Sequence, residues 1–220
     1  MGEANREAGE YIFRIHVQKE PPLVDWSLII GDCLHNARTS LDHLFQGLMK
    51  KQNPGGVTGN ISQANFPIFK DSATFNGRRL KIERWVGALA LAILEDLQPF
   101  NDPRGWNKNG LMFLHDFDII DKHRLLLPAI SIQDSAEFGA DTVDNRTVRV
   151  DGAIRLLKFQ DNAEIARFHV TPAEDVIDMH LSATFDIIFE GQPGPMRVIP
   201  NLERVIEVVE ETSAKLKPLL

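Results

Sequence analysis

Between residues 29 and 48, Ile30, Leu34, Ala37, Leu41, Leu44, Phe45 and Leu48 recur at steps of three and four, the period of a single helical face. Asp32, His35, Thr39, Asp42 and Gln46 follow the flank, and Arg38 falls at the edge of the apolar stripe. Asp25 is placed to cap this first helix, and Lys50 and Lys51 suit its C-terminal end. Upstream, residues 1–9 read as a flexible polar tail. Tyr11, Phe13, Ile15 and Val17 then alternate with polar or outward positions, which predicts a strand with one buried face, ended by Pro21 and Pro22. Downstream, Phe66-Pro67-Ile68-Phe69 is a short extended apolar plug. A second helix is expected from Asn76 or Arg78 to Gln98, stopped by Pro99, with Gly87 marking a close helix crossing. A third is expected over 109–126, and a last one over 201–216.

The texture changes at Pro128. Ala153–Phe159 and Glu164–Val170, separated by Gln160-Asp161-Asn162, read as a hairpin. Met179 to Phe189 alternate as a half-buried strand. The pattern predicts an α+β protein of one domain spanning 1–220. A four-helix bundle (24–127 and 198–220) carries a β-sheet insertion (128–197) between the third and last helices, and the N-terminal strand joins the sheet. Strands that follow helices without regular alternation argue against a doubly wound sheet.

Composition narrows the class. At 220 residues, 43% hydrophobic and 25% charged, the chain can bury a packed core. The net charge of −7, with no dense run of Lys and Arg, leaves no obvious phosphate-binding patch. One cysteine, Cys33, and a polar start lacking an apolar signal segment suit a cytoplasmic protein, and no apolar run is long enough to span a bilayer. Cys33 itself reads as a small packed residue, and Trp85 and Trp106 as core.

The unusual chemistry lies on the first and third helices. Extending the stripe Phe113, Leu114, Phe117 and Ile120 at helical steps brings Asp121 and Arg124 to the core. Buried charges need partners. The natural pairs are Arg38 with Asp121 and Asp42 with Arg124, an ionic layer between two helices. Such a layer is either a structural latch or the means of holding His35, His43 or His123 in one protonation state. As a latch it makes Asp121→Ala strongly destabilising.

Arg38-Thr39-Ser40-Leu41-Asp42-His43 places a His five positions after an Arg. This resembles the R-x-x-x-x-H signature of the HEPN superfamily, helical bundles that include metal-independent ribonucleases and nucleotide-binding modules. The resemblance implies a HEPN-like bundle with RNA or a nucleotide as partner, in a toxin or phage-defence setting. Arg38 would stabilise phosphate charge and His43 would move the proton. His35, Asp42, Asp121, Lys122, His123 and Arg124 would complete the site. Five residues at about 100° each turn His43 well away from Arg38, so the site would be assembled across a homodimer, as is usual in that superfamily.

The order G-D-C-L-H-N-A-R-T-S-L-D-H, then F-P-I, then D-K-H-R also resembles a broad set of uncharacterised bacterial proteins. That resemblance spans Asp25 to Arg124 and carries no assigned activity. It marks Gly31, Asp32, His35, Asn36, Arg38, Asp42, His43 and Asp121 to Arg124 as one unit.

Two other classes compete. Asp32 with His35, and His115 with Asp118, have the three-residue spacing of metal ligands on a helix, which would suit a metal-dependent hydrolase. Against it, no Glu-x-x-His pair and no H-E-x-x-H is present. The other class is a non-enzymatic binding or interaction module whose polar layer is structural. Shared exposure of Arg38 and His43 in a cleft, within one chain or across a dimer, would favour the ribonuclease, and burial of Arg38, Asp42, Asp121 and Arg124 in ion pairs away from any pocket would favour the module.

Overall fold

A computed structural model describes residues 2–5, 8–56, 64–123, 128–154, 159–189 and 196–220; the side chains of 2–4, 122, 123, 132–136 and 154 lie outside that description. The protein is α+β, with five α-helices and two antiparallel sheets among the described residues. It divides into two compact units, residues 25–126 with 199–220 and residues 1–24 with 127–198; among the described residues the first carries the helices and the second the two sheets.

In the β unit, β1 (Gly2–Asn5) pairs with β2 (Glu10–Arg14), β2 with β5 (Glu164–Thr171), and β5 with β4 (Arg149–Ile154). The start of the chain is therefore strand where a flexible tail was expected, because β2 offers its free edge to residues 2–5. The N-terminal strand joins the sheet through β5, Tyr11 lying opposite Phe168. Asn162, at φ 61, makes the expected turn, and Ile15 exchanges backbone hydrogen bonds of 2.9 Å with Asn162 and Ala163. The strand preceding that turn pairs over 149–154, earlier than expected, and 155–158 lie outside the described residues.

The second sheet holds the long hairpin of β3 (Pro128–Thr142) and β6 (Val176–Phe189), edged by β7 (Met196–Arg197). Tyr11, Phe168, Val170, Val176 and Met179 form the core of this unit. Phe138 stacks on Phe168 with ring centroids 4.8 Å apart.

The helical unit begins with α1 (Leu23–Gln52), which starts directly after the prolines, so Asp25 sits within its first turn and is not its cap. Ser27, Ile30, Leu34, Arg38, Leu41, Phe45 and Leu48 make its buried stripe. Arg38 thus occupies the centre of the apolar face, where the periodicity had put Ala37.

The expected second helix is two helices, α2 (Ser72–Val86) and α3 (Ala88–Asp96). Asp71 caps α2, its carboxylate accepting from the Thr74 amide at 2.8 Å and hydroxyl at 2.9 Å, and these bonds hold its pKa below the ordinary value. The break falls at Gly87, where φ is 81° and ψ 164°, a region open in practice to glycine alone. A β-carbon there would lie 2.9 Å from Oε1 of Gln52, the tip of a flexible side chain, so the close approach is to that side chain. The break also leaves Leu80 and Leu89 exposed. Gly87→Ala should cost about 2 kcal/mol from the forbidden backbone region, read as a shift in the urea midpoint at constant slope.

α4 (Gly110–His123) follows a polar loop, and Asn109 caps it by accepting from the Leu111 amide at 2.9 Å. α5 (Val198–Leu216) closes the unit. Leu34, Leu41, Phe45, Phe75, Leu94, Leu111, Leu114 and Leu216 are fully buried around these helices. Trp106, expected in the core, is exposed beneath Lys70, whose ammonium lies 6.0 Å from its ring centre, and Cys33 is exposed rather than packed. No helix among the described residues is long and apolar enough to cross a membrane.

Candidate functional site

An extended segment buried among helices must find partners for its backbone without a neighbouring strand. Phe66 to Phe69 is such a segment, with Phe66 and Ile68 buried. Its partners are side chains. The Phe66 amide donates to Asp42 Oδ1 at 2.7 Å, and Arg38 Nη2 donates to the Phe66 carbonyl at 2.8 Å. Arg38 and Asp42, one turn apart on α1, are themselves 3.2 Å apart. Two residues on, Gln98 repeats the pattern. Its Nε2 donates to the carbonyls of Pro67 at 3.0 Å and Leu94 at 2.9 Å, and its Oε1 accepts from the Phe69 amide at 2.9 Å. The Arg38–Asp42 pair and Gln98 grip the segment as an adjacent strand would.

This corrects the ionic layer expected from the sequence. Arg38 pairs with Asp42 on its own helix, not with Asp121 on α4. Asp121 lies two turns away along α1, its carboxylate against Gly31: a β-carbon on Gly31 would sit 2.5 Å from Asp121 Oδ1. Gly31 therefore lets α1 and α4 approach closely, and Asp121 has no ion-pair partner among the described residues. Asp121→Ala should change stability by less than about 1 kcal/mol, against the large loss that a paired, buried Asp121 would have produced; a thermal melt distinguishes the two. The proposed Asp42–Arg124 pair involves a residue outside the described set. Lys122 and His123 lie in the last turn of α4, with side chains outside the description.

The R-x-x-x-x-H pair is split by the helix. Arg38 is only 6% exposed, with its guanidinium on Phe66 and Asp42, whereas His43 faces solvent. The same α1 segment has no other cation between Leu23 and Met49 to meet a phosphate.

One pair from the sequence reading does come together. His35 Nδ1 lies 3.7 Å from Asp118 Oδ1, with His35 58% exposed and Asp118 buried at 6%. At 3.7 Å this is a charge contact, beyond hydrogen-bond distance, between a buried carboxylate and a half-exposed imidazole. Asp32 and His115 do not complete a metal site with them: among the described residues, no three His, Cys, Asp or Glu side chains are grouped to hold an ion. Beside His115, Asp116 has its pKa raised by burial, an effect opposed by the charges of His115 and Lys70.

Sequence reasoning passed over Gln98 and Asp102. Gln98 carried a signal, since it continues the step Leu91, Leu94, Gln98 along a buried face. Asp102 is the hub of the α3–α4 loop. Its carboxylate accepts from Arg104 Nε at 3.0 Å and Nη2 at 2.8 Å, from the Arg104 amide at 2.9 Å, and from Asn109 Nδ2 at 3.1 Å. The Arg104 side chain foremost, then the Arg104 amide and Asn109, hold its pKa far below the usual carboxylate range against the opposing effect of burial. A depressed folded pKa gives stability that is fully present above the unfolded value of about 3.9 and lost as pH falls through the folded one. Asp102→Asn should therefore weaken the fold at neutral pH and flatten its loss of stability below about pH 4, measured by urea unfolding across pH.

No protein-family model, curated protein or solved structure matches the chain.

Proposed function

We propose that this protein is a non-enzymatic binding module whose Arg38–Asp42 pair is a structural latch for the Phe66–Phe69 segment. The observation that carries this is the placement of Arg38: its guanidinium is buried at 6% exposure, with Nη2 on the Phe66 carbonyl and against Asp42 and Nη1 enclosed without a partner among the described residues, so it does not face solvent where a phosphate would meet it. The exposure of His43 on another side of α1, and the lack of a second Lys or Arg between Leu23 and Met49, support the same reading.

The His35–Asp118 couple favours a second reading. A ribonuclease or nucleotide-binding protein of the HEPN type would then move its proton through His35, with the Asp118 charge beside the ring, and would not depend on an Arg38–His43 site. Mixed cellular RNA incubated with the purified protein in EDTA separates these readings, with His35→Ala and His43→Ala variants of matched melting temperature alongside. The binding module predicts no cleavage above background. Cleavage lost in His43→Ala overturns it in favour of the R-x-x-x-x-H site, and cleavage lost only in His35→Ala moves the chemistry to the second reading.

A further inference from the structure

The helical unit contains a cleft of about 450 Å³, away from Arg38 and Phe66, between α5 on one side and the end of α3 with the α3–α4 loop on the other. Its loop wall is fixed in advance. Asp102 ties Arg104 and Asn109 together, and Asn101 Nδ2 donates to the Glu95 carbonyl at 2.7 Å. At one end Gly110 brings α4 against α5, where a β-carbon would lie 2.9 Å from the Arg204 carbonyl.

The charges on the cleft wall sort into those already used and those that are not. Arg104 is held by Asp102. Lys215 is held by Glu211 at 2.9 Å and by Asp96 at 3.5 Å. Arg204 and Glu207 remain. They are one turn apart on α5, a spacing that makes side chains neighbours, yet no ion pair joins them. Arg204 makes one long hydrogen bond, 3.4 Å to Asn201 Oδ1, and Glu207 has no ion-pair partner among the described residues. The cleft thus presents one cation and one carboxylate side by side, about 4.5 Å apart along the helix axis, in a concave setting with a rigid opposite wall.

The geometry points to this cleft as a binding site for a small zwitterion of the α-amino acid class. An α-amino acid carries its ammonium and carboxylate on a single carbon, with the nitrogen and carboxyl carbon about 2.5 Å apart. Neighbouring opposite charges on one helix are what such a ligand needs. Arg204 takes the carboxylate, aided by the positive N-terminal end of α4, and Glu207 takes the ammonium. The cleft volume leaves room for a side chain. This deepens the proposed binding function by naming a ligand class, and it rests on that function only in treating the helical unit as a binder. Its failure is read from amino-acid binding, and the failure of the other from RNA cleavage.

Isothermal titration of the full chain with each of the twenty L-amino acids tests it. The N-acetyl derivative and the methyl ester of any binder serve as controls that remove one charge each. Saturable binding of at least one free amino acid is expected, with affinity falling at least about tenfold in either control and in Glu207→Gln or Arg204→Gln, as loss of a charge-assisted bond requires. Far-ultraviolet circular dichroism and melting temperature establish that the variants fold. Absence of binding by all twenty overturns the proposal. So does binding that survives both substitutions, or that is unchanged when the ammonium or carboxylate is blocked.

Discussion

Arg38→Ala is expected to destabilise the helical unit by about 3–5 kcal/mol, the cost of breaking a buried ion pair from one side. The loss has two sources. Asp42 keeps its charge but loses the guanidinium 3.2 Å away, and the Phe66 carbonyl loses its donor in a place water reaches poorly. A cavity beneath the Leu34–Leu41 stripe adds to it. Arg38→Lys should recover only part of the loss, since Nη2 alone meets both acceptors and the lysine ammonium falls one bond short of its position. Urea unfolding followed by circular dichroism gives both values. A stability within about 0.5 kcal/mol of the parent would mean that Arg38 is not buried in a working latch.

Gln98→Ala is the second large effect, about 3 kcal/mol. Three backbone groups depend on this amide: the carbonyls of Pro67 and Leu94 and the N–H of Phe69. Each buried group left unpaired costs about 1 kcal/mol or more. Gln98→Glu should also destabilise, because it keeps the acceptor for Phe69 but turns the donor to Pro67 and Leu94 into a second acceptor. Amide hydrogen exchange localises the damage. Faster exchange is expected at Phe69 in both Gln98 variants and at Phe66 in Asp42→Ala, while the α5 core around Leu216 stays protected.

Much of the fold was legible because periodicity is a local property. The three-and-four step of α1, the alternation of β2 and β6, and the turn at Asn162 follow from a few neighbouring residues each. What failed depended on distant partners. Residues 2–5 form a strand only because the edge of β2 is there to receive them. Gly87 was read as a close crossing, and only the backbone torsion reveals that the helix stops there.

In the candidate site, the sequence singled out Arg38 and Asp42 and assigned Arg38 the wrong partner. A charge on an apolar stripe signals that something must neutralise it. It does not say whether that something is a helix across the core or a peptide group lying on top. Here Phe66 supplies the peptide group, and the i,i+4 spacing of Arg38 and Asp42, visible from the start, was the clue that they served each other. The residues around His35 show the converse: Asp118 is eighty-three positions away, and only the packing of α4 on α1 at Gly31 brings it near.

A double-mutant cycle across Arg38 and Asp42 tests the latch most directly. Arg38→Ala, Asp42→Ala and the double variant would be compared with the parent by equilibrium unfolding, with m-values checked for constancy. Side chains that act as one clamp on the Phe66 peptide should be strongly non-additive, the double variant losing about 1–3 kcal/mol less than the sum of the singles. Additivity within about 0.5 kcal/mol would contradict the latch and return Arg38 to the set of residues available for phosphate.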